Sequence, residues 1–369
     1  MYSGEKSSRV GQMEEEIKLL VLLVTGDCNL RCVYCYARGG ESKRHMSWEV
    51  ARQAVDYAAA RSPSFKIQFS GGEPLLNLPL VKEVAAYVRS RRLSVKLQLQ
   101  TNGTLVTPAV ARELKSLGVA LGVSLDGRPE VNDRLRPLAG GGGSTLAVIR
   151  GLQNLAAEGI KVGLTAVLTA ESTAGLTQLV ELAAYLGNVY GISLDLLRPL
   201  GRGREGCPAP PEPELLSEQV GAAVRRAGEI ARLGGPLIRF REVERLKFQL
   251  HRRITRRHYC YATTGQSMAV MPDGSVYPCA SFCGLTEFYL GRITDSNFSL
   301  AEALAATPLP GRTVEVMAGC RECRDRYLCG GGCPARAYAF TGRVDRACEE
   351  DCLLRKVYLD CVKEKTRIW

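Results

Sequence analysis

The chain reads as an α/β protein: a partial, TIM-like (β/α)6 barrel followed by a small cysteine-rich α+β domain. Three observations predict it. Apolar segments of strand length alternate with segments of helix length six times between residues 17 and 197. That rhythm breaks over residues 198–213, where eight of sixteen positions are Pro or Gly. Beyond the break, ten of the fourteen cysteines fall between Cys260 and Cys361. Six units are too few for a closed eight-unit barrel, so an open one is expected.

The elements follow in order. After a flexible N-terminal stretch (1–16), residues 17–24 (IKLLVLLV) form a β-branched apolar run ended by Thr-Gly-Asp, which predicts a buried strand. Ser47, with Glu49 behind it, is an N-cap for a helix to about Arg61. Strands are predicted at 66–70, 95–101, 119–125, 161–168 and 192–197, and helices at 80–91, 108–117, 146–158 and 174–186. The strands read as apolar on both faces, which argues for parallel β/α units. This first domain is expected over 17–205. A linker and helical segment, helical from about Pro213, spans 206–256, and the cysteine-rich domain spans 257–369. In that last domain MAVMPDGSVYPC reads as a hairpin, because Pro fixes φ and Gly supplies φ > 0 at its turn.

Composition bounds the answer further. With 369 residues, 46% hydrophobic and 24% charged, the chain can bury a core and does not read as disordered. Its longest apolar run, Leu19 to Val24, is far short of the ~20 residues that span a bilayer. No basic segment, apolar run and small-residue cleavage site opens the chain, so a cytoplasmic protein is expected, with no membrane or nucleic-acid partner. The net charge is +11, and residues 239–257 alone hold eight Lys/Arg against two Glu. This run reads as a solvated basic helix face, or more sharply as a dock for an acidic peptide or partner.

Cysteine carries the chemistry. Structural disulfides are not maintained in a reducing compartment, so close-spaced cysteines point to thiolate metal ligands. Cys28, Cys32 and Cys35 follow directly on the first strand. Three thiolates at this spacing can hold three irons of a [4Fe–4S] cube and leave the fourth iron without a protein ligand. A closed zinc site, the alternative, wants four ligands, and no His or fourth Cys lies near. Companion motifs end the next three strands: Ser70-Gly71-Gly72-Glu73-Pro74, Thr101-Asn102-Gly103 and Ser124-Leu125-Asp126-Gly127. In β/α barrels the carboxyl ends of the strands build the site. Gly71 and Gly72 permit close backbone approach, and a carboxylate such as Glu73 can pair with an ammonium.

These four motifs together resemble the radical S-adenosylmethionine (radical SAM) superfamily. The resemblance implies that Cys28, Cys32 and Cys35 hold the catalytic cluster. It implies S-adenosylmethionine contacts at Tyr34, Gly71, Gly72, Glu73, Asn102, Ser124, Asp126, Arg136 and Leu197. Among these, Tyr34 presents its backbone near the adenine, and Gly72 and Glu73 hold the methionine end. Ser124 and Arg136 reach ribose or carboxylate, and Leu197 packs on adenine, with plain core the alternative for Leu196 and Leu197. The implied chemistry is reductive cleavage of S-adenosylmethionine to a 5′-deoxyadenosyl radical that abstracts a substrate hydrogen, fed by an external flavodoxin- or ferredoxin-type one-electron reductant.

The spacing Cys260-x13-Gly274-x4-Cys279, then Cys320-x2-Cys323-x5-Cys329-x3-Cys333 and a further Cys, resembles the SPASM extension of that superfamily. It implies two auxiliary [4Fe–4S] clusters, three in all, with zinc as the physical alternative. By this resemblance Cys260, Cys279 and Cys333 hold the first, with Cys283 a candidate fourth ligand or the position left open. Cys320, Cys323 and Cys329 hold the second with a distal Cys, Cys352 preferred over Cys348. Cys207 and Cys361 read as spare thiols.

SPASM enzymes mostly modify peptides or proteins. The residues around Cys279 and Cys320–Cys333 look most like peptide maturases that form thioether crosslinks of the sactipeptide or ranthipeptide kind. Sulfatase maturases, which make formylglycine, carry an Asp base directly after the equivalent of Cys279; here it is Ala280, which cannot take a proton, so the general base is unassigned. Enzymes acting on a small molecule such as a haem precursor are the other alternative. Only about twenty residues precede the first strand, so leader recognition is expected to need a separate leader-binding protein or the basic 239–257 face. An iron–sulfur scaffold or electron carrier would have no use for Gly71–Glu73 or Ser124–Asp126.

Overall fold

The computed structural model describes residues 16–205 and 208–366. Residues 1–15 of the expected flexible stretch, and the spare thiol Cys207, lie outside the described residues. The first unit runs β1 (Leu19–Thr25), α1 (Trp48–Ala59), β2 (Ser64–Gly71), α2 (Leu78–Ser90), β3 (Ser94–Thr101), α3 (Pro108–Leu117), β4 (Ala120–Ser124), α4 (Pro129–Leu135), α5 (Thr145–Ala157), β5 (Val162–Leu168), α6 (Ala170–Thr173), α7 (Leu176–Leu186) and β6 (Val189–Leu196). The six strands are parallel and neighbour one another in chain order. Local chemistry sets the boundaries. The Ser47 side chain accepts from Val50 N to start α1, and Thr107 accepts from Val110 N to start α3.

The strands are not apolar on both faces. In β5, Val162, Leu164, Ala166 and Leu168 are buried under the helices, while Gly163, Thr165 and Val167 between them are half-buried and line the barrel interior. Gln68, Gln100, Gly122 and Ser193 continue this lining on the neighbouring strands. A barrel packed on its axis fills that layer with branched side chains. Here small and amide side chains leave it hollow, so only the helix-facing side of these strands is dry.

The expected helical segment is broken. α8 (Pro213–Arg232) ends before Gly234 at φ +84, then β7 (Arg239–Phe240) adds a parallel strand beside β6, and α9 (Arg241–His251) follows. Close pairing requires Gly191, since a Cβ there would sit 2.8 Å from Arg239 O. On the other edge of the sheet, β8 (Ser267–Val270) pairs parallel with β1, and β9 (Ser275–Tyr277) and β10 (Gly291–Arg292) extend it antiparallel. Their hairpin turns at Pro272-Asp273-Gly274, with Gly274 at φ +89. One ten-stranded sheet, in the order β10-β9-β8-β1-β2-β3-β4-β5-β6-β7, therefore crosses the boundary expected near residue 256.

The remaining helices are α10 (Leu300–Ala305), α11 (Arg326–Cys329), α12 (Pro334–Thr341) and α13 (Glu349–Thr366). α13 packs against α8 and α9, with Leu354 and Tyr358 buried in the main core. The C-terminal elements are thereby anchored to the barrel side. No helix among the described residues is long and apolar enough to cross a membrane.

Candidate active site

The three N-terminal cysteines lie on the loop that leaves β1 at the carboxyl end of the sheet. Backbone bonds from Arg31 N to Pro137 O (2.8 Å) and Val33 N to Leu135 O (3.0 Å) tie this loop to the end of α4. Arg202 clamps it from the other side. Its Nε donates to Cys32 O (3.0 Å), its Nη2 to Gly39 O (3.1 Å) and its backbone N to Cys35 O (3.1 Å). The sequence places Arg202 in a Pro/Gly-rich stretch that reads as a linker, and nothing local marks it as a brace. Two backbone amides already point at sulfur, Leu30 N to Cys28 Sγ and Gly39 N to Cys35 Sγ, both at 3.4 Å. Burial pushes the Cys28 thiol up, and the Cys32 thiol up to about 12. Such thiols ionise on metal binding rather than before it.

The strand-end motifs surround the same space. Gly71, at φ +133, would place a Cβ 2.3 Å from Thr25 O, and Gly72 would place one 2.1 Å from Asp27 O, so both positions exclude a side chain. Both glycines line the cavity; the fully buried Glu73 carboxylate turns away from it. It accepts from Thr101 Oγ1 (2.7 Å), Asn102 N (2.7 Å) and Leu75 N (3.1 Å), joining the ends of β2 and β3. Asn102 donates to Asn29 Oδ1 at 2.8 Å, beside Cys28. Ser124 accepts from Gln100 Nε2 at 3.0 Å and faces the cavity.

Asp126, Tyr34 and Arg136 form one buried chain. Tyr34 Oη donates to Asp126 Oδ2, and Arg136 Nη1 donates to Tyr34 Oη at 2.7 Å. Asp126 also accepts from Val167 N at 2.9 Å. Burial pushes the Asp126 carboxyl up against the pull of Arg136. Arg136 lines the cavity, and its Nε is buried with no hydrogen-bond partner. Leu197 packs with Tyr34, Val131 and Leu135, whereas its neighbour Leu196 lines the cavity.

The C-terminal cysteines separate into two sets. Cys260, Cys279 and Cys333 lie within one another's electrostatic reach, as do Cys320, Cys329 and Cys352, with Cys323 beside Cys320. Gly330, Gly331 and Gly332, all at positive φ, turn the chain between Cys329 and Cys333. The acidic neighbours of Cys348 are Asp351 and Glu350, and no other thiol is among them. Cys283 has Cys279 as its thiol neighbour and lines a cavity of about 340 Å³ that shares Tyr36, Gly71 and Gly72 with the cavity at the strand ends. Cys361 is buried in the main core. None of the thirteen described cysteines forms a disulfide.

Cys28, Cys32 and Cys35 share a single cavity of about 500 Å³ with Cys260 and Cys333. Among the described residues no three His, Cys, Asp or Glu side chains converge on a single ion. The all-sulfur donor sets and the amides already directed at sulfur fit [4Fe–4S] clusters, and the excluded Cβ positions at Gly71 and Gly72 fit a ligand pressed against backbone.

A buried ion network closes the cavity. Arg198 pairs bidentately with Asp195 (2.8 and 3.0 Å), and Arg336 joins Asp195 (2.6 Å) to Asp351, which accepts from Cys333 N at 2.7 Å. Arg355 bridges Glu242 and Tyr259. Burial alone would raise the Asp351 and Glu242 carboxyls, but their arginine partners hold both below the usual range. Ala280 lines the same cavity and brings no titratable group to it.

This geometry has relatives. The radical SAM superfamily model matches residues 22–183. An uncharacterised protein of Methanocaldococcus jannaschii is 33% identical over 77% of this chain and 92% of its own length. The AdoMet-dependent heme synthase of Methanosarcina barkeri is 29% identical over 88% of this chain and 93% of its own. Among solved structures, native anSMEcpe with bound AdoMet and a Cp18Cys peptide superposes with a TM-score of 0.77 at 21% identity, covering 95% of this chain and 98% of that one. With its cysteine loop at the end of β1, its glycine-lined strand ends and its second cysteine array, this chain belongs to the radical SAM superfamily and is an enzyme of the kind that carries a C-terminal SPASM extension.

Proposed function

We propose that the enzyme abstracts hydrogen from a peptide or protein substrate and closes a thioether crosslink on it. The observation that carries this reading is the shared cavity, lined both by Cys28, Cys32 and Cys35 and by Cys260 and Cys333. Held by these thiols, the clusters and S-adenosylmethionine would supply a 5′-deoxyadenosyl radical on one side and an iron able to take a substrate sulfur on the other.

The chain's own part is placement. Gly71 and Gly72 let the methionine end lie against backbone, and Arg136 offers its unpartnered Nε to a carboxylate, with Asp126 and Tyr34 fixing its orientation. Cys279 has both Cys260 and Cys333 around it, whereas Cys283 has Cys279 alone among the thiols, which supports three rather than four thiols from this chain on the first auxiliary cluster, the Cys260, Cys279 and Cys333 set. Cys320, Cys323, Cys329 and Cys352 would hold the second, for three clusters in all. Ala280 argues against the formylglycine reaction, which needs a base there. The thirteen described cysteines, none of them in a disulfide, suit a reducing compartment such as the cytoplasm. A flavodoxin- or ferredoxin-type reductant and a separate leader-binding protein complete the reading.

A small-molecule substrate such as a haem precursor is the second reading, favoured by the near full-length likeness to the Methanosarcina heme synthase. The test is anaerobic incubation of the reconstituted enzyme with S-adenosylmethionine, dithionite and, in parallel reactions, a cysteine-containing peptide or an iron tetrapyrrole. The proposal expects loss of one hydrogen pair from the peptide and a crosslinked fragment in its mass spectrum. Unchanged peptide beside a consumed tetrapyrrole would replace it with the second reading.

A further inference from the structure

The barrel interior and the cavity between the cysteine arrays are one chamber. The interior cavity of about 430 Å³ shares Gln68, Gln100, Thr165, Ser193 and Arg241 with the cavity at the strand ends. α9 stands where the two meet. Its basic stretch, which the sequence presents as a solvated face or a dock for an acidic partner, places the exposed Arg241 and the half-buried Arg245 on the chamber lining.

The charges on this wall do not balance. Arg241 makes no hydrogen bond or ion pair to a described residue, and Arg245 reaches Glu242 Oε2 at 2.8 Å while its Nε is buried without a partner. Arg355, 5% exposed, uses the same Glu242 oxygen and also leaves its Nε without a hydrogen bond. Arg245 and Arg355 thus share one Glu242 oxygen, with Asp351 3.8 Å from Arg355 Nε, while the exposed Arg241 guanidinium stands near the same carboxylate with no partner of its own. Cys333 neighbours Arg198, Arg336 and Arg312, and Cys32 neighbours Arg136, so these thiols face other guanidinium groups of the chamber.

We propose that Arg241 and Arg245 are a carboxylate-binding pair, so that the substrate carries at least one carboxylate apart from the atom that reacts. The inference rests on the reading of the chamber as the substrate site and names the class of substrate admitted there. The carboxylate could belong to an acidic residue of a peptide or to a small polyacid; guanidinium groups bind either through the same paired N–H donors.

The experiment is equilibrium binding to the reconstituted enzyme with S-adenosylmethionine present, by titration calorimetry, using two matched pairs of probes. One pair is the peptide Glu-Gly-Cys-Gly-Glu, N-acetylated and C-terminally amidated, and its Gln counterpart capped in the same way; the other is butane-1,2,3,4-tetracarboxylate and its tetramethyl ester. At least one acidic probe should bind about tenfold or more tightly than its neutral partner, the factor one charge-assisted hydrogen bond supplies, and the arm that shows it identifies the source. The Arg241→Gln/Arg245→Gln variant should lose that preference while keeping its iron and its affinity for S-adenosylmethionine. Arg241→Gln alone, at a side chain with no hydrogen bond to lose, should reduce it without any risk to folding. No preference in either arm, or a preference that survives both variants, overturns the proposal. Turnover of a peptide without regard to its charge would do so while leaving the thioether reading intact; tight acid binding without turnover would do the reverse.

Discussion

Neighbouring side chains on α13 serve different partners. Cys352 lies within the field of Cys320 and Cys329, while Asp351 accepts from Cys333 N and pairs with Arg336. One residue step on a helix turns a side chain by about 100°, which is how one short segment addresses two cysteine sets. Three cubes hold about twelve irons, four in each. Cys352→Ala should therefore lose about four irons per chain, whereas Cys348→Ala and Cys283→Ala should keep all twelve. Iron and zinc determination on anaerobically reconstituted variants checks this. Loss of a cube in Cys283→Ala would make that thiol the fourth ligand of the first auxiliary set, and a total near four irons with stoichiometric zinc would remove the auxiliary clusters altogether. At this scale the sequence shows ligands better than it shows their supports. Cys28, Cys32, Cys35, Gly71 and Gly72 stand in short motifs whose spacing is itself the chemistry. Arg202 touches Cys32 and Cys35 across about 170 residues, and no local pattern encodes such a contact. Glu73 shows the converse: its motif is plain, but only the fold reveals that its carboxylate joins two strand ends.

The elements of the barrel were legible because each carries its own stop and start signals, such as Ser47, Thr107 and Gly118. What the pattern hid was the hollow inside. Gln68, Gln100, Thr165 and Ser193 sit among apolar neighbours, and the alternation becomes meaningful only once one face is seen to line a chamber. β7 was equally hidden, being two residues long, and its pairing depends on the missing side chain of Gly191. Besides the packing of α13, Arg336, which is 5% exposed, ties the C-terminal helices to β6 by bridging Asp195 to Asp351. Removing one partner of a buried pair leaves uncompensated charge, at a cost of about 3–5 kcal/mol. Arg336→Met should therefore lower the thermal midpoint of the reconstituted protein by several degrees. An unchanged midpoint would mean that Arg198 and Arg355 compensate the two carboxylates without it and that Arg336 does not fasten α12 and α13 to the barrel.

For the molecule as a whole, the decisive feature is that one sheet runs through both halves. β8 pairs with β1, so the hairpin preceding Cys279 is registered directly against the strand that carries Cys28, Cys32 and Cys35. The two cysteine arrays are brought to one chamber by backbone hydrogen bonds rather than by a flexible joint. Their family resemblance was legible from the motifs, but their convergence was not, because it joins residues such as Asp195 and Arg336 that lie 141 positions apart. The central claim is that this chamber cleaves S-adenosylmethionine at the first array. The most direct measurement is 5′-deoxyadenosine formed under dithionite by the reconstituted enzyme and by its Cys28→Ala/Cys32→Ala/Cys35→Ala variant. The account predicts deoxyadenosine from the parent enzyme and none above the protein-free background from the variant, with the irons of the C-terminal region retained. Equal formation by both proteins would contradict it.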